Sequence, residues 1–436
     1  MSKHICIISH HFPPTNFMGS WRQFYRAKYL DEMGYKVSII TLHEKNILVD
    51  KNKSSFINKE KLFSKTDLIR VPYNNYAGFN LIQKLIFKMN SEKIIIKKIL
   101  AQISFLILPL NHRYRMRLFP SEISNHLESS PDYIIASGDP WNIHQQGREL
   151  ATFYNTKYIA EYRDPWNYYD NSYQIKGFNT FNKNFWSQIK SKISLKREQK
   201  INKNANGIIS VSKSWTKNAS VVTGVIKSKT ITNGFEPREF ELIKPVKYDK
   251  FTLSYTGHIY PFQEIDLFIN GLNLFIDNNP KIKKNIQVLF FGSLSGHGFE
   301  KRLPQIKSLD RYGLIKCTKR SSKKESIKVQ KSSNMLLYFT HLETKGVYSG
   351  KIFEYLGANK PIMISPGDND ILDELINQTQ SGKSCSSTEE VSSFIENLYF
   401  NWENKGKKYY TPKRSIIESY SYKNKTKELI SFLNSL

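Results

Sequence analysis

Acidic residues are scarce in this chain. Its 436 residues hold 38 Asp and Glu against 65 Lys and Arg, a formal charge of +27 at pH 7. Three sources fit that imbalance: a nucleic acid partner, an anionic membrane surface, or a lysine-rich proteome, which the abundance of Asn and Ile also favours. No zinc finger or RNA-binding aromatic motif accompanies the charge, so specific nucleic-acid binding is not expected. Cysteine is rarer still. Cys6, Cys317 and Cys385 stand far apart, which excludes a disulfide framework and a zinc pattern. No apolar run reaches the roughly eighteen residues that a membrane-spanning helix needs. The first residues lead straight into a strand-like run, without the charged, apolar and small-residue order of a signal peptide, and the cytoplasm is the expected compartment. The G-x-G-x-x-G fingerprint of a dinucleotide site is also missing.

Against these absences stands an ample apolar content, 39% with 13% aromatics, over a length that suits two domains. Residues 4–9 read as a buried strand. A loop with two prolines and Gly19 follows, then a helix from Trp21 to Met33 that Gly34 ends, then a second strand over 35–41. This opening predicts a parallel, doubly wound sheet. Residues 44–75 are polar and read as a variable connection. Further strands are expected at 131–137, 157–162 and 206–212, with an extended piece at 228–232. After position 235 the pattern restarts, with strands running into Gly257 and Gly292 and others near 314–318, 334–339 and 362–365.

Between Asn80 and Arg117 apolar residues recur at helical spacing with lysines and arginines between them. A basic helix pair with an apolar face binds an anionic bilayer without spanning it; the same pattern also fits a pair packed on its own domain.

Charged residues at the carboxyl ends of parallel strands are where chemistry is expected. His144 follows the strand at 131–137, and Arg163-Asp164 ends the strand at 157–162. The stretch Ser349 to Pro361 offers a second site. A glycine before a helix lets backbone amides approach an anion, the helix start is partially positive, and Lys351 adds a full charge there. Glu354, one turn on, suits the two hydroxyls of a ribose. Phosphate followed by sugar suggests a nucleotide, although a solvated surface helix has the same spacing.

The stretch from Ser349 to Pro361 resembles the nucleotide-sugar signature of GT-B glycosyltransferases, above all glycosyltransferase family 4, whose G-K-x-x-E-Y-x-A-x-G-K-P-like segment holds the ribose through its glutamate. Residues 137–144 and 161–166 are similar to the family's S-x-x-P-x-x-x-H and D-x-R-D-P-W segments, with Glu161 in place of the first aspartate. Residues 205–212 and Asn233-Gly234-Phe235 match as well. The resemblance runs from the first strand to about residue 370. It implies an α/β fold of two Rossmann-like domains facing a cleft: an acceptor-binding domain over 1–235, a nucleotide-sugar domain over 236–405, and a helix over 406–436 crossing back to the first.

By that resemblance the chain is a retaining glycosyltransferase. It would take a nucleotide-diphosphate sugar and a glycan or lipid-linked acceptor, in bacterial surface polysaccharide assembly. Gly19, Gly257, His258, Ser349, Gly350 and Lys351 would face the sugar diphosphate, Thr318 the base and Glu354 the ribose. His144, Arg163 and Asp164 would line the reaction site. A metal is not required if helix dipole and Lys351 suffice for the diphosphate, and no D-x-D pattern stands in the right strand context, so no metal or other cofactor is expected. Two departures stand out. The family places an arginine and a lysine after the glycine at 257; here His258 follows, with no lysine until Lys281. The glutamate eight positions before Glu354 is replaced by Gly346, with Glu343 nearby. A GT-B fold also serves sugar epimerases and phosphorylases, and the missing glutamate and arginine also fit a basic membrane- or polysaccharide-binding scaffold without catalysis.

Overall fold

The computed structural model describes residues 3–15, 18–42, 57–71, 120–138, 141–166, 185–260, 263–295, 299–319, 321–340, 346–404 and 410–436. The basic segment 80–117 and Glu343 lie outside them. The chain divides into two units, passing from the first to the second between Thr232 and Asn233 and returning between Asn424 and Lys425.

The first unit carries an eight-stranded sheet. Its strands are β1 (His4–Ser9), β2 (Lys36–Leu42), β3 (Asn58–Phe63), β4 (Thr66–Val71), β5 (Tyr133–Gly138), β6 (Lys157–Tyr162), β7 (Gly207–Ser210) and β8 (Ser228–Thr230). They lie in the order β3-β4-β2-β1-β5-β6-β7-β8, all parallel except β3, which runs antiparallel to β4. Side chains alternate between the two faces, as strand geometry requires. Ile5, Ile7, Val37 and Ile39 pack with Ala27 and Leu30 of the Met18–Glu32 helix and with Leu429, Phe432 and Leu433 of the C-terminal helix. Cys6, Ile8 and Ile40 face the other way, against Ile143, Leu150, Ile201 and Ala219.

The β3–β4 hairpin corrects the expectation of a connection over 44–75. Thr66 and Asp67 are fully enclosed in β4, and the Asp31 carboxylate accepts hydrogen bonds from Ser64 Oγ, Lys65 N and Thr66 Oγ1. A strand whose buried polar groups are satisfied by partners from elsewhere carries no apolar run to announce it.

The second unit holds β9 (Phe251–Thr256), β10 (Ile286–Phe291), β11 (Ile315–Cys317), β12 (Met335–Phe339), β13 (Ile362–Ser365) and β14 (Gly382–Ser384). All are parallel, in the order β11-β10-β9-β12-β13-β14. Leu253, Tyr255, Val288 and Phe290 pack on Phe268 and Leu272 on one face; Leu336, Tyr338 and Ile362 pack on Phe353 and Leu356 on the other. In each unit the strand order reverses once, between β1 and β5 and between β9 and β12. Such switch points open a crevice at the carboxyl ends of the strands, where doubly wound sheets bind ligands. Among the described residues no helix is long and apolar enough to cross a membrane.

Candidate functional site

In the second unit the switch point is bounded by Gly257 and by the start of the Gly350–Ala358 helix. Gly257 follows β9 with a φ of 105°, a conformation that an L side chain resists, and its N–H donates to Phe291 O at 2.8 Å. A Cβ at Gly257 would also stand 3.4 Å from Lys351 Cε and 3.5 Å from its Nζ. The glycine turn and the lysine are therefore one site.

Ile352, Phe353, Tyr355 and Leu356 are fully enclosed and anchor the helix, while Asn359 ends it in the left-handed conformation. Ser349 precedes the helix in extended geometry, and its hydroxyl does not cap it. First-turn N–H groups have no partner within a helix, so those of Gly350 and Lys351 are left for an anion. Tyr355 Oη accepts the N–H of Thr256, last residue of β9, at 2.9 Å. That bond ties the helix to the glycine turn.

Lys351 Nζ lies over the Tyr255 ring, 3.4 Å from its centroid. Burial holds its pKa well below the ordinary lysine value, with the Glu354 carboxylate partly opposing. Glu354 has the reverse shift. Burial raises its pKa, and Lys323 and a hydrogen bond from Gln330 lower it in part. Lys323 in turn pairs with Glu239, Nζ to Oε2 at 2.7 Å. His258 stands next to Gly257, and its carbonyl accepts the Tyr255 hydroxyl.

Thr318 follows β11, beside the turn after β10. Its Oγ1 accepts Gly292 N–H at 3.0 Å, its N–H donates to Phe290 O, and its carbonyl accepts from Leu294 N. It braces the turn after β10, so its hydroxyl and amide are already engaged.

In the first unit, Gly19 opens the Met18–Glu32 helix and a Cβ there would overlap the guanidinium of Arg163. Arg163 and Asp164 follow β6, both half-buried, and Arg163 N–H donates to Gly138 O at 3.1 Å. Gly19, Arg163 and the helix start thus meet at one point.

His144 does not present a ring atom there, which corrects its expected place among reacting groups. It is fully enclosed; Nε2–H donates to Glu161 O at 3.0 Å and Nδ1 accepts from Asn202 Nδ2 at 2.9 Å. Trp141, Tyr162 and Trp166 surround the ring, and burial pulls its pKa down to about 4. It is a neutral positioning group beneath the Arg163 turn. The Glu161 side chain is structural as well. Arg26 grips it with both nitrogens at 2.8 and 3.0 Å, Arg22 lies at 3.3 Å, and Gln23 Nε2 donates at 2.9 Å. Burial pushes that carboxyl up, but the two guanidinium groups outweigh it and hold the pKa well below the carboxylate range.

Sequence reasoning missed Gln330, Tyr355, Asn202 and the Arg22–Arg26 pair. The spacing of Arg22 and Arg26, one turn apart just after Gly19, was the one available signal.

The sequence matches no protein-family model and no curated protein. Solved structures are nonetheless similar over nearly its whole length. Sucrose-phosphate synthase from Thermosynechococcus elongatus aligns with a TM-score of 0.59 at 13% identity, over 99% of this chain and 98% of that one. A glycosyltransferase from Rickettsia africae ESF-5 gives 0.57 and 13%, over 100% and 98%. Anabaena HepE in complex with UDP-glucose gives 0.55 and 11%, over 99% and 100%. At such identities the likeness establishes the fold, which is GT-B with two Rossmann-like units.

Proposed function

We propose that this chain is a glycosyltransferase that moves a sugar from a nucleoside-diphosphate sugar to an acceptor hydroxyl. The observation that carries the reading is the meeting of Gly257, the uncapped start of the Gly350–Ala358 helix and Lys351 at one switch point, with Glu354 a turn away. As the glycosidic bond breaks, negative charge builds on the departing diphosphate. Donors fixed in place beforehand, here the N–H groups of Gly350 and Lys351 and the lysine ammonium, lower that barrier. Glu354 accepts from the ribose and so sets the distance of the sugar carbon from the reaction point. Arg163 and Asp164, at the carboxyl end of β6 in the first unit, are assigned to sugar hydroxyls or phosphate, with His144 supporting their turn. The scheme needs no metal, because helix amides and Lys351 supply the positive charge.

HepE was solved with UDP-glucose, which makes a UDP-hexose the first donor to try. Retention at the anomeric carbon and a glycan or lipid-linked acceptor in surface polysaccharide assembly follow from the family resemblance. A cytoplasmic site of action, touching the membrane through the basic segment 80–117, fits the charge of +27. The test is turnover of UDP-, GDP- and ADP-sugars by purified protein, with binding to Glu354→Ala and Lys351→Ala alongside. Binding that survives both changes within about twofold, under roughly 0.5 kcal/mol, ends the assignment.

A further inference from the structure

We propose that Gln330 is a positioning residue that orients Glu354, and through it the ribose of the donor; this rests on reading the second unit's switch point as a nucleotide site. Gln330 sits in the last turn of the Lys323–Ser332 helix and is fully enclosed. Its Nε2 donates to Thr256 Oγ1 at 3.0 Å and to Glu354 Oε2 at 3.4 Å. Its Oε1 is buried with no hydrogen-bond partner.

That arrangement is hard to explain as packing. A leucine or methionine would fill the same space without stranding an acceptor, and a stranded buried acceptor opposes folding. Turning the amide over would not relieve it, because Oε1 would then face the Glu354 carboxylate and Nε2 would take the partnerless position. What the amide does is close a ring. Thr256 holds Gln330 through its hydroxyl and Tyr355 through its N–H, and Gln330 holds Glu354, the residue before Tyr355. The ring fixes one carboxylate oxygen against the end of β9, adjacent to Gly257. The other oxygen remains for the ribose hydroxyls.

Ionisation gives the second part of the effect. Two ribose hydroxyls donate best to an ionised carboxylate, and burial works against that state at Glu354. The charged groups around it are Lys323, Glu239 and Lys351; Lys323, the Gln330 bond and Lys351 favour ionisation and Glu239 opposes it. Removing the Gln330 bond therefore raises the Glu354 pKa further.

The test compares UDP, GDP and ADP with their 2′,3′-dideoxy forms by calorimetry across pH, in wild type, Gln330→Met and Gln330→Asn. Wild type is expected to prefer the hydroxylated ligand, and the preference to fall as pH drops through the Glu354 titration. Gln330→Met should lose about tenfold of the preference, as for one charge-assisted hydrogen bond, with its pH midpoint moved upward. In a Glu354→Gln background the same change should have no further effect. Equal weakening of both ligand forms, or an unmoved midpoint, overturns the proposal. If Gln330→Met does not fold, the shorter Gln330→Asn, which also fails to reach Glu354, carries the comparison. Wild type that binds none of the diphosphates refutes the nucleotide reading itself, a result separable from a failure of Gln330 alone.

Discussion

Lys351 places its Nζ 3.4 Å from the centre of the Tyr255 ring, and among the described residues it makes no ion pair with Glu354, one turn along its own helix. A desolvated ammonium on a ring face is weakly held compared with one on a carboxylate, and it remains available to an arriving anion. The ring stores the lysine beside Gly257.

Proton uptake should therefore accompany ligand binding. Burial lowers the lysine pKa in the free protein, and a diphosphate at Nζ raises it again. At a pH between the two values, binding takes up protons, and affinity falls as pH rises through the free-state value. Calorimetry of UDP in buffers of different ionisation enthalpy measures the uptake. Lys351→Ala should abolish it and weaken binding by about 1.5–3 kcal/mol, the range for a hydrogen bond to a charged group. Wild-type heats independent of buffer at every pH up to the ordinary lysine value would contradict this.

Glu161 should matter to stability far more than to turnover. It neutralises two enclosed arginines, so Glu161→Gln leaves buried positive charge uncompensated, at a cost of about 3–5 kcal/mol. Its folded pKa is depressed, so its contribution is present above the ordinary carboxylate value and is lost as pH falls below it. Urea unfolding of wild type and variant at pH 7 and pH 4 measures both effects. A loss under about 1 kcal/mol at pH 7 would mean that the pair is not structural.

The contrast between these sites explains what could be read from the chain alone. The apolar runs of β1, β5, β9 and β13 announce parallel strands, and the spacing from Gly350 to Glu354 places lysine and glutamate a turn apart whatever packs around them. Long-range partners are another matter. Nothing local to Val329-Gln330-Lys331 indicates that the amide meets a carboxylate 24 positions on. Equally, no feature near His144 shows that Asn202, 58 positions later, occupies Nδ1. β4 was hidden for the same reason, since its polar residues are satisfied from other elements: Thr66 by Asp31, Asp67 by Lys59 and Lys61, and Arg70 by Glu60 and the Pro13 carbonyl.

Gly19→Ala should separate function from folding. The added methyl meets the far end of a flexible arginine rather than backbone, so Arg163 can swing away. Stability should change by less than about 1 kcal/mol. Turnover of the nucleotide sugar proposed as donor should fall, and Arg163→Ala in the same background should add little, because the two changes displace one group. A full additional loss in the double variant would show that Gly19 and Arg163 act independently.

Above the acid range in which Glu161 acts, two groups in one buried network should add opposing pH dependences to the stability of the first unit. Glu198 faces the Tyr162 hydroxyl, Asn202 donates to Tyr162 and to His144, and burial raises Glu198 to about 8 from the ordinary 4.5. Its proton is held more tightly in the folded state, so stability is complete below about 4.5 and declines as pH rises through 8. His144 acts in the opposite sense. Its pKa falls from 6.5 to about 4, so the stability of its neutral ring is present above 6.5 and declines as pH drops toward 4. Between pH 4.5 and 6.5 the two slopes oppose each other, leaving the Glu198 loss alone between about 6.5 and 8. Glu198→Gln keeps the shape and removes the charge, so it should erase that alkaline decline, a gain on the order of a few kcal/mol at pH 9. His144→Gln should flatten the acid side instead. Melting temperatures from pH 4 to 9 read both, and curves for Glu198→Gln that run parallel to wild type would show that the carboxyl is not protonated in the native protein.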